Sequence, residues 1–258
     1  MGLLDTDKYL PGHATAGDPH GVKLRQAVRE AGDAQCALCR LLEDEERARL
    51  HWLAYEGLAD ASLRKKLLAS RGFCVTHTRL LYTVVVEQTR NLSAIAQVMR
   101  ELSAADLEAL EGAERAWSGR GRSGGAQSGR RVRASIGRLL AALQPAATCP
   151  ACDTAATVLS QKAKTFATAL EDGVFREAYV HGAGALCRPH LRRVLAEVTG
   201  TDQAEALIAK HVGGLQRDVA ELDEFLRKVD YRFAAEPKGD EQRAPLRSLL
   251  RFIGTWPR

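Results

Sequence analysis

Cys149-Pro150-Ala151-Cys152 and, 34 residues further on, Cys187-Arg188-Pro189-His190 are the stretch that decides how this chain is read. The same ligand types stand earlier in the same order: Cys36-Ala37-Leu38-Cys39, then 34 residues, then Cys74-Val75-Thr76-His77. Each ligand of the later set follows its counterpart by 113 residues, without a gap, and all six cysteines of the chain fall inside the pattern. Ligand-type residues recurring at one fixed offset predict an internal duplication.

Coordination chemistry explains why these residue types occur together. Zinc in a structural site takes four N or S ligands in a tetrahedron. A pair at i and i+3 at the start of a helix points two side chains at one ion, and two such pairs close the shell. A closed shell marks a structural rather than a catalytic centre. The expected metal ligands are therefore Cys36, Cys39, Cys74, His77, Cys149, Cys152, Cys187 and His190, serving two Zn²⁺ ions. Iron–sulfur clusters with one His ligand suit the same residues and remain an alternative. A thioredoxin-like pair needs a strand before the C-x-x-C, and none is visible. A c-type haem needs His directly after the second Cys, where Arg40 and Asp153 stand instead.

The 34-residue gaps bear on wiring. Two antiparallel helices of that total length return the chain to its start, so the simplest arrangement clips each half with its own ion. A crossed arrangement, with Cys36 and Cys39 meeting Cys187 and His190, requires an exchange between the halves.

The rest of the chain reads as helix. Aromatic residues make up only 5% of it, so the core rests on Leu, Ala and Val, a composition that favours helices. The spacing predicts helices over about 21–31 and 37–56, then one capped by Asp60 or Ser62 and ending near Gly72. Further helices follow Cys74, cover 103–116 and 131–143, and open at Cys149. Gly182 and Gly184 break the chain before Cys187, and the next helix ends at Thr199-Gly200. Beyond Thr201, apolar residues from Ala204 to Leu226 keep helical spacing over six turns, with Gly213-Gly214 as a potential bend. His211 falls on this stripe as a core or boundary residue. His13 and His20 lie in a polar leader.

The fold class expected is thus all-α, with two tandem metal-clipped helical repeats plus a long C-terminal helix. The domains expected are a disordered leader over 1–20, repeats over 21–117 and 134–230, and a tail over 231–258 with a short helix. Between the repeats lies Ser118–Arg133, with five Arg, five Gly and three Ser and no acid. It reads as a flexible basic linker.

The pairing of C-P-A-C with Gly184-Ala185-Leu186-Cys187-Arg188-Pro189-His190 resembles an uncharacterised bacterial family, a domain of unknown function with duplicated C-P-x-C and G-x-C-x-x-H motifs. The likeness continues through Phe225-Leu226-Arg227-Lys228-Val229-Asp230-Tyr231-Arg232, where the family carries F-x-R-K-x-D-Y-R. The first Cys pair lacks the family's Pro, and Ala244-Pro245-Leu246 stands where its Trp is expected. The resemblance supports the fold and the ligand set and implies no activity.

No Ser/His/Asp order, phosphate-binding Gly loop or H-E-x-x-H is present, so an enzyme is not the expectation. The function expected is that of a non-enzymatic zinc-binding interaction or regulatory module with a protein or nucleic-acid partner. The alternative is an iron–sulfur or thiol-based redox sensor using the same Cys/His sets. Arg227, Lys228, Asp230, Tyr231 and Arg232 are the candidate partner-binding residues outside the metal sets. The net charge of +5 permits an acidic partner without requiring one. The first twenty residues lack the basic and apolar regions of a signal peptide, and no apolar run spans a bilayer. The expected compartment is the cytoplasm, where thiols stay reduced and cysteine clusters bind metal.

Overall fold

The structure, a computed structural model, describes residues 22–33, 35–88, 92–118, 126–233 and 235–254, without the side chains of 88, 116–118 and 126–132. The expected leader and residues 119–125 of the expected linker lie outside the described residues. Among the described residues there are eleven α-helices, two short 3₁₀ turns and no strand, so the protein is all-α.

In chain order the helices are α1 (Val22–Glu30), α2 (Ala37–Tyr55), α3 (Ala61–Ala69), α4 (Val75–Gln88), α5 (Ser93–Ser118), α6 (Ala126–Leu143), α7 (Pro150–Ala169), α8 (Gly173–His181), α9 (Arg188–Leu195), α10 (Thr201–Val229) and α11 (Ala244–Ile253). Several boundaries differ from those expected. Helix α5 starts ten residues before Ser103 and ends at Ser118, and α9 stops at Leu195, short of Thr199. Helix α6 begins at Ala126, so residues 126–133 of the expected linker are helical. The arginines there are good helix formers, and they offset the cost of Gly129.

Contacts divide the described residues into two compact units, 47–154, and 22–46 together with 155–254. This grouping is not that of the tandem halves over 21–117 and 134–230. Residues 22–46 associate with the second half, and residues 134–154 with the first.

In the 47–154 unit, Leu50, Leu53 and Ala54 of α2 pack on Leu81, Val84 and Val85 of α4. Leu58, Leu67 and Val98 form a second cluster. Asp60 caps α3 as the sequence suggests, its carboxylate accepting from the Leu63 N–H at 2.7 Å. The other end of α3 is closed by a Schellman motif. The Gly72 N–H donates to the Leu67 carbonyl at 2.7 Å and the Arg71 N–H to that of Leu68 at 3.2 Å. The motif requires positive φ, and Arg71 (54°) and Gly72 (93°) supply it. This turn delivers the chain to Cys74.

In the other unit, Leu24, Ala27 and Val28 of α1 and Leu38 and Leu41 of α2 bury themselves against Phe166, Leu170, Phe175, Tyr179, Leu186, Val194 and Leu207. Phe166 meets Phe175 and Tyr179 edge-on, with ring centroids 5.4 and 5.2 Å away. His211 is a core residue, as its place on the stripe suggests, with Nε2 3.2 Å from the Tyr179 hydroxyl. Burial, and then the nearby Arg251 and Lys210, hold its pKa down at about 4. Helix α10 runs unbroken through Gly213-Gly214. A Cβ at Gly214 would stand 2.8 Å from the Arg251 guanidinium, which explains the glycine, whereas one at Gly213 would meet nothing.

Helix α11 is locked to α10 by buried charge. The Arg247 guanidinium donates to Asp218 at 2.9 Å, to Asp33 at 3.1 Å and to Glu221. Arg251 shares Asp218. Both Arg247 and Asp218 are buried, where a charge persists only if it is paired.

Candidate metal centres

The four ligand pairs share one local geometry. The first member stands just before a helix and the second is the third residue inside it: Cys36 and Cys39 at α2, Cys74 and His77 at α4, Cys149 and Cys152 at α7, Cys187 and His190 at α9. In each, the carbonyl of the first ligand accepts the first intrahelical hydrogen bond, from Arg40 at 3.1 Å, Thr78 at 2.8 Å, Asp153 at 3.2 Å and Leu191 at 2.8 Å. That bond closes one turn and brings residues i and i+3 to the same side. Helix starts also present unsatisfied N–H groups and the positive end of the helix dipole, which favour thiolate. Pro150 and Pro189 fit the first turn, where no N–H partner is needed.

The pairs meet in a crossed order. One group is Cys36, Cys39, Cys187 and His190, and the other is Cys74, His77, Cys149 and Cys152. In each, the four ligand atoms lie within 4.8 Å of one another. The within-half wiring expected from the 34-residue gaps is therefore not what the fold adopts. The helices between the ligand pairs are unequal in length. Helix α2 has 19 residues and α3 only 9, lengths of about 28 Å and about 13 Å. The second half repeats the imbalance, with 20 residues in α7 and 9 in α8. Each group lies inside one compact unit: the Cys74 centre in 47–154, the Cys36 centre in the other.

The distances fit one tetrahedral ion. Ligands at the usual Zn–S and Zn–N lengths stand about 3.8 Å apart for S···S and about 3.6 Å for S···N. In the Cys36 centre, Cys39 Sγ and Cys187 Sγ are 3.8 Å apart, and His190 Nδ1 lies 3.3, 3.4 and 3.3 Å from Cys36, Cys39 and Cys187. In the Cys74 centre, Cys74 Sγ and Cys152 Sγ are 3.6 Å apart, and His77 Nδ1 lies 3.1, 3.7 and 3.3 Å from Cys74, Cys149 and Cys152. Both histidines aim Nδ1 at the sulfurs.

Electrostatics separate the thiols within each centre. Burial, reinforced by Cys187 and Cys39, pushes Cys36 well above the ordinary thiol range. Hydrogen bonds from Cys187 and Cys36 hold Cys39 far below it. In the Cys74 centre, burial and Cys74 push Cys152 up to about 12. Burial also opposes ionisation of Cys149, but His77 and backbone N–H groups outweigh it and bring that thiol down to about 6. One sulfur ionises easily and its neighbours then resist, as like charges at close range must. A divalent cation among them removes that conflict, so the donor set fits such an ion. The centres differ in exposure: all four ligands of the Cys36 centre are buried, whereas Cys152 is exposed and Cys74 half-buried.

One residue at the Cys36 centre escaped the sequence reading. Gly254 ends α11 with φ 78° and ψ 176°. A Cβ there would stand 2.8 Å from Cys39 Sγ and 3.0 Å from Cys187 Sγ. Its available signal was its place directly after a helix; nothing in the sequence ties it to cysteines so distant. The candidate partner-binding cluster is largely engaged within the chain. Arg227 pairs with Glu224 and Glu236, Lys228 with Glu224 and Glu241, and Arg232 with Asp230. Tyr231 is 88% exposed, and Arg232 is exposed beside it.

An all-α protein with two Cys3His ligand groups, each built from two helix starts, is the class that fold and site define. The chain belongs to a family of unknown function, DUF6062, whose model matches residues 20–258. No curated protein and no solved structure matches it. Among the described residues, no helix is long and apolar enough to cross a membrane.

Proposed function

We propose that each Cys3His group holds one zinc ion and that the protein is a non-enzymatic interaction or regulatory module for a protein or nucleic-acid partner. The observation that carries this reading is that four ligand atoms lie within 4.8 Å in each group, a complete shell with no position left for substrate. A cluster spreads its ligands over two or four irons, so this compactness favours a single ion over an iron–sulfur centre. Each ion would join helix starts far apart in sequence, which makes metal-binding energy into folding energy. Ligand thiols of this kind need a reducing compartment such as the cytoplasm.

The redox alternative draws on one feature, the exposed Cys152, through which an oxidant could reach the Cys74 centre. Elemental analysis and native mass spectrometry of protein purified without added metal separate the readings. Two zinc ions per chain and no visible absorbance are expected. One ion or none after metal-replete preparation would sink the two-ion reading. Iron with a visible band would transfer support to the alternative.

A further inference from the structure

Helix α10 carries a second apolar stripe that its own unit does not cover. Ile208, Val212, Leu215, Val219, Leu222, Leu226 and Val229 follow one another at intervals of four and three residues without a polar interruption. All but the half-buried Leu222 are between 45% and 66% exposed. The buried face of the helix is elsewhere, marked by Leu207, His211 and Asp218. At 100° per residue, those positions lie to one side of the stripe and not beneath it.

An alternating four–three spacing is the heptad pattern of a coiled coil. With Val212 and Val219 at a, the d positions are Ile208, Leu215, Leu222 and Val229. At the centre of the seam, Val212 and Val219 at a with Leu215 and Leu222 at d give the β-branched and leucine combination that favours two strands, and Leu226 takes the last a position. Gly213 and Gly214 fall at b and c, outside the seam, so they do not interrupt it. On the open flank, the e positions are Ala209, Gln216 and Asp223, small or polar residues that leave the seam accessible. The opposite flank is held by the chain itself: Asp218, at g, is already bound by Arg247 and Arg251.

We infer that α10 pairs with the α10 of a second copy of this chain along the Ile208–Val229 seam, making the protein a two-fold symmetric dimer. A helix face satisfied by its own heptad partner meets the requirement of an isologous contact, the same patch on both subunits. The seam is about 32 Å long. Closing it removes on the order of 1,200 Å² from the two copies together, enough for a specific interface. The pairing does not depend on the metal reading, since no ligand lies on α10.

Sedimentation velocity of the full chain at micromolar concentration tests it. The wild type should sediment at twice the chain mass. Val219→Lys, which places charge at the middle a position, should weaken association roughly 100-fold or more and give monomer. Ala220→Lys, one residue off the seam, should stay dimeric. Val219 is exposed, so the variant should keep its helicity and metal content, and circular dichroism with metal analysis verifies that it is folded. A wild type that remains monomeric up to 100 µM overturns the inference. So does a folded Val219→Lys variant that dimerises as tightly as the wild type.

Discussion

Cys36→Ser combined with Cys187→Ser, set against Cys36→Ser combined with Cys74→Ser, exposes the crossed wiring directly. Cys36 and Cys187 contribute to one group, and Cys74 to the other. Loss of one thiolate from a shell with S···S of 3.8 Å leaves three donors and an open position, and the ion becomes labile. Once it is gone, removing a second ligand from the same group costs little more. The first pair should therefore retain one ion per chain and the second pair none. Within-half wiring would give the reverse counts. The energetic scale is set by zinc-finger peptides, where metal binding is worth about 10–16 kcal/mol. These units bury cores of their own, so only part of that should appear as lost stability. In a double-mutant cycle on thermal stability, Cys36 with Cys187 should show a coupling of several kcal/mol. Cys36 with Cys74 should be close to additive if the two units unfold independently. Native mass spectrometry gives the ion counts and circular dichroism melts the coupling. One ion in the Cys36/Cys74 double variant, with none in the Cys36/Cys187 variant, would refute the crossed arrangement.

Two other outcomes follow from single residues. Gly254→Ala forces a Cβ against two ligand sulfurs and a glycine-only backbone region; it should cost about 1–3 kcal/mol from strain alone and speed release of one of the two ions to a chelating dye. Gly213→Ala, in open space on the same unit, should instead stabilise by about 0.5–1 kcal/mol; equal effects of the two changes on ion release would contradict the close approach of Gly254. His211 tests the pH dependence. Its folded pKa, about 4, lies below the ordinary 6.5, so the unfolded chain binds more protons between those values and stability falls as pH drops through that window. At pH 5.5 the loss should be about 1.2 kcal/mol relative to pH 7. Comparing urea midpoints of wild type and His211→Asn at pH 7 and 5.5 checks it, and an identical pH dependence in both would refute the buried neutral imidazole.

Much of this was legible in the residues. The eight Cys and His of the two groups, their i and i+3 pairing at helix starts, the Asp60 cap and the length of α10 all follow from local rules, because first-turn hydrogen bonds and 3.6-residue periodicity involve neighbours in sequence. The seam on α10 was present in the same letters, but only the burial of His211 and Asp218 shows that Val212 and Val219 are not the core-facing side. The wiring could not be read at all. It depends on α1 burying Leu24 and Val28 against Phe175 and Tyr179 of the opposite half, contacts between residues about 150 apart. Gly254 belongs to the same category: its glycine character is a local fact, but its reason is the position of Cys39 and Cys187 in space. Sequence determined which atoms can bind a metal and which turns present them. Only tertiary packing decided which four meet, because α1 and the start of α2 bury their apolar side chains against Phe166, Phe175 and Tyr179, residues far away in sequence.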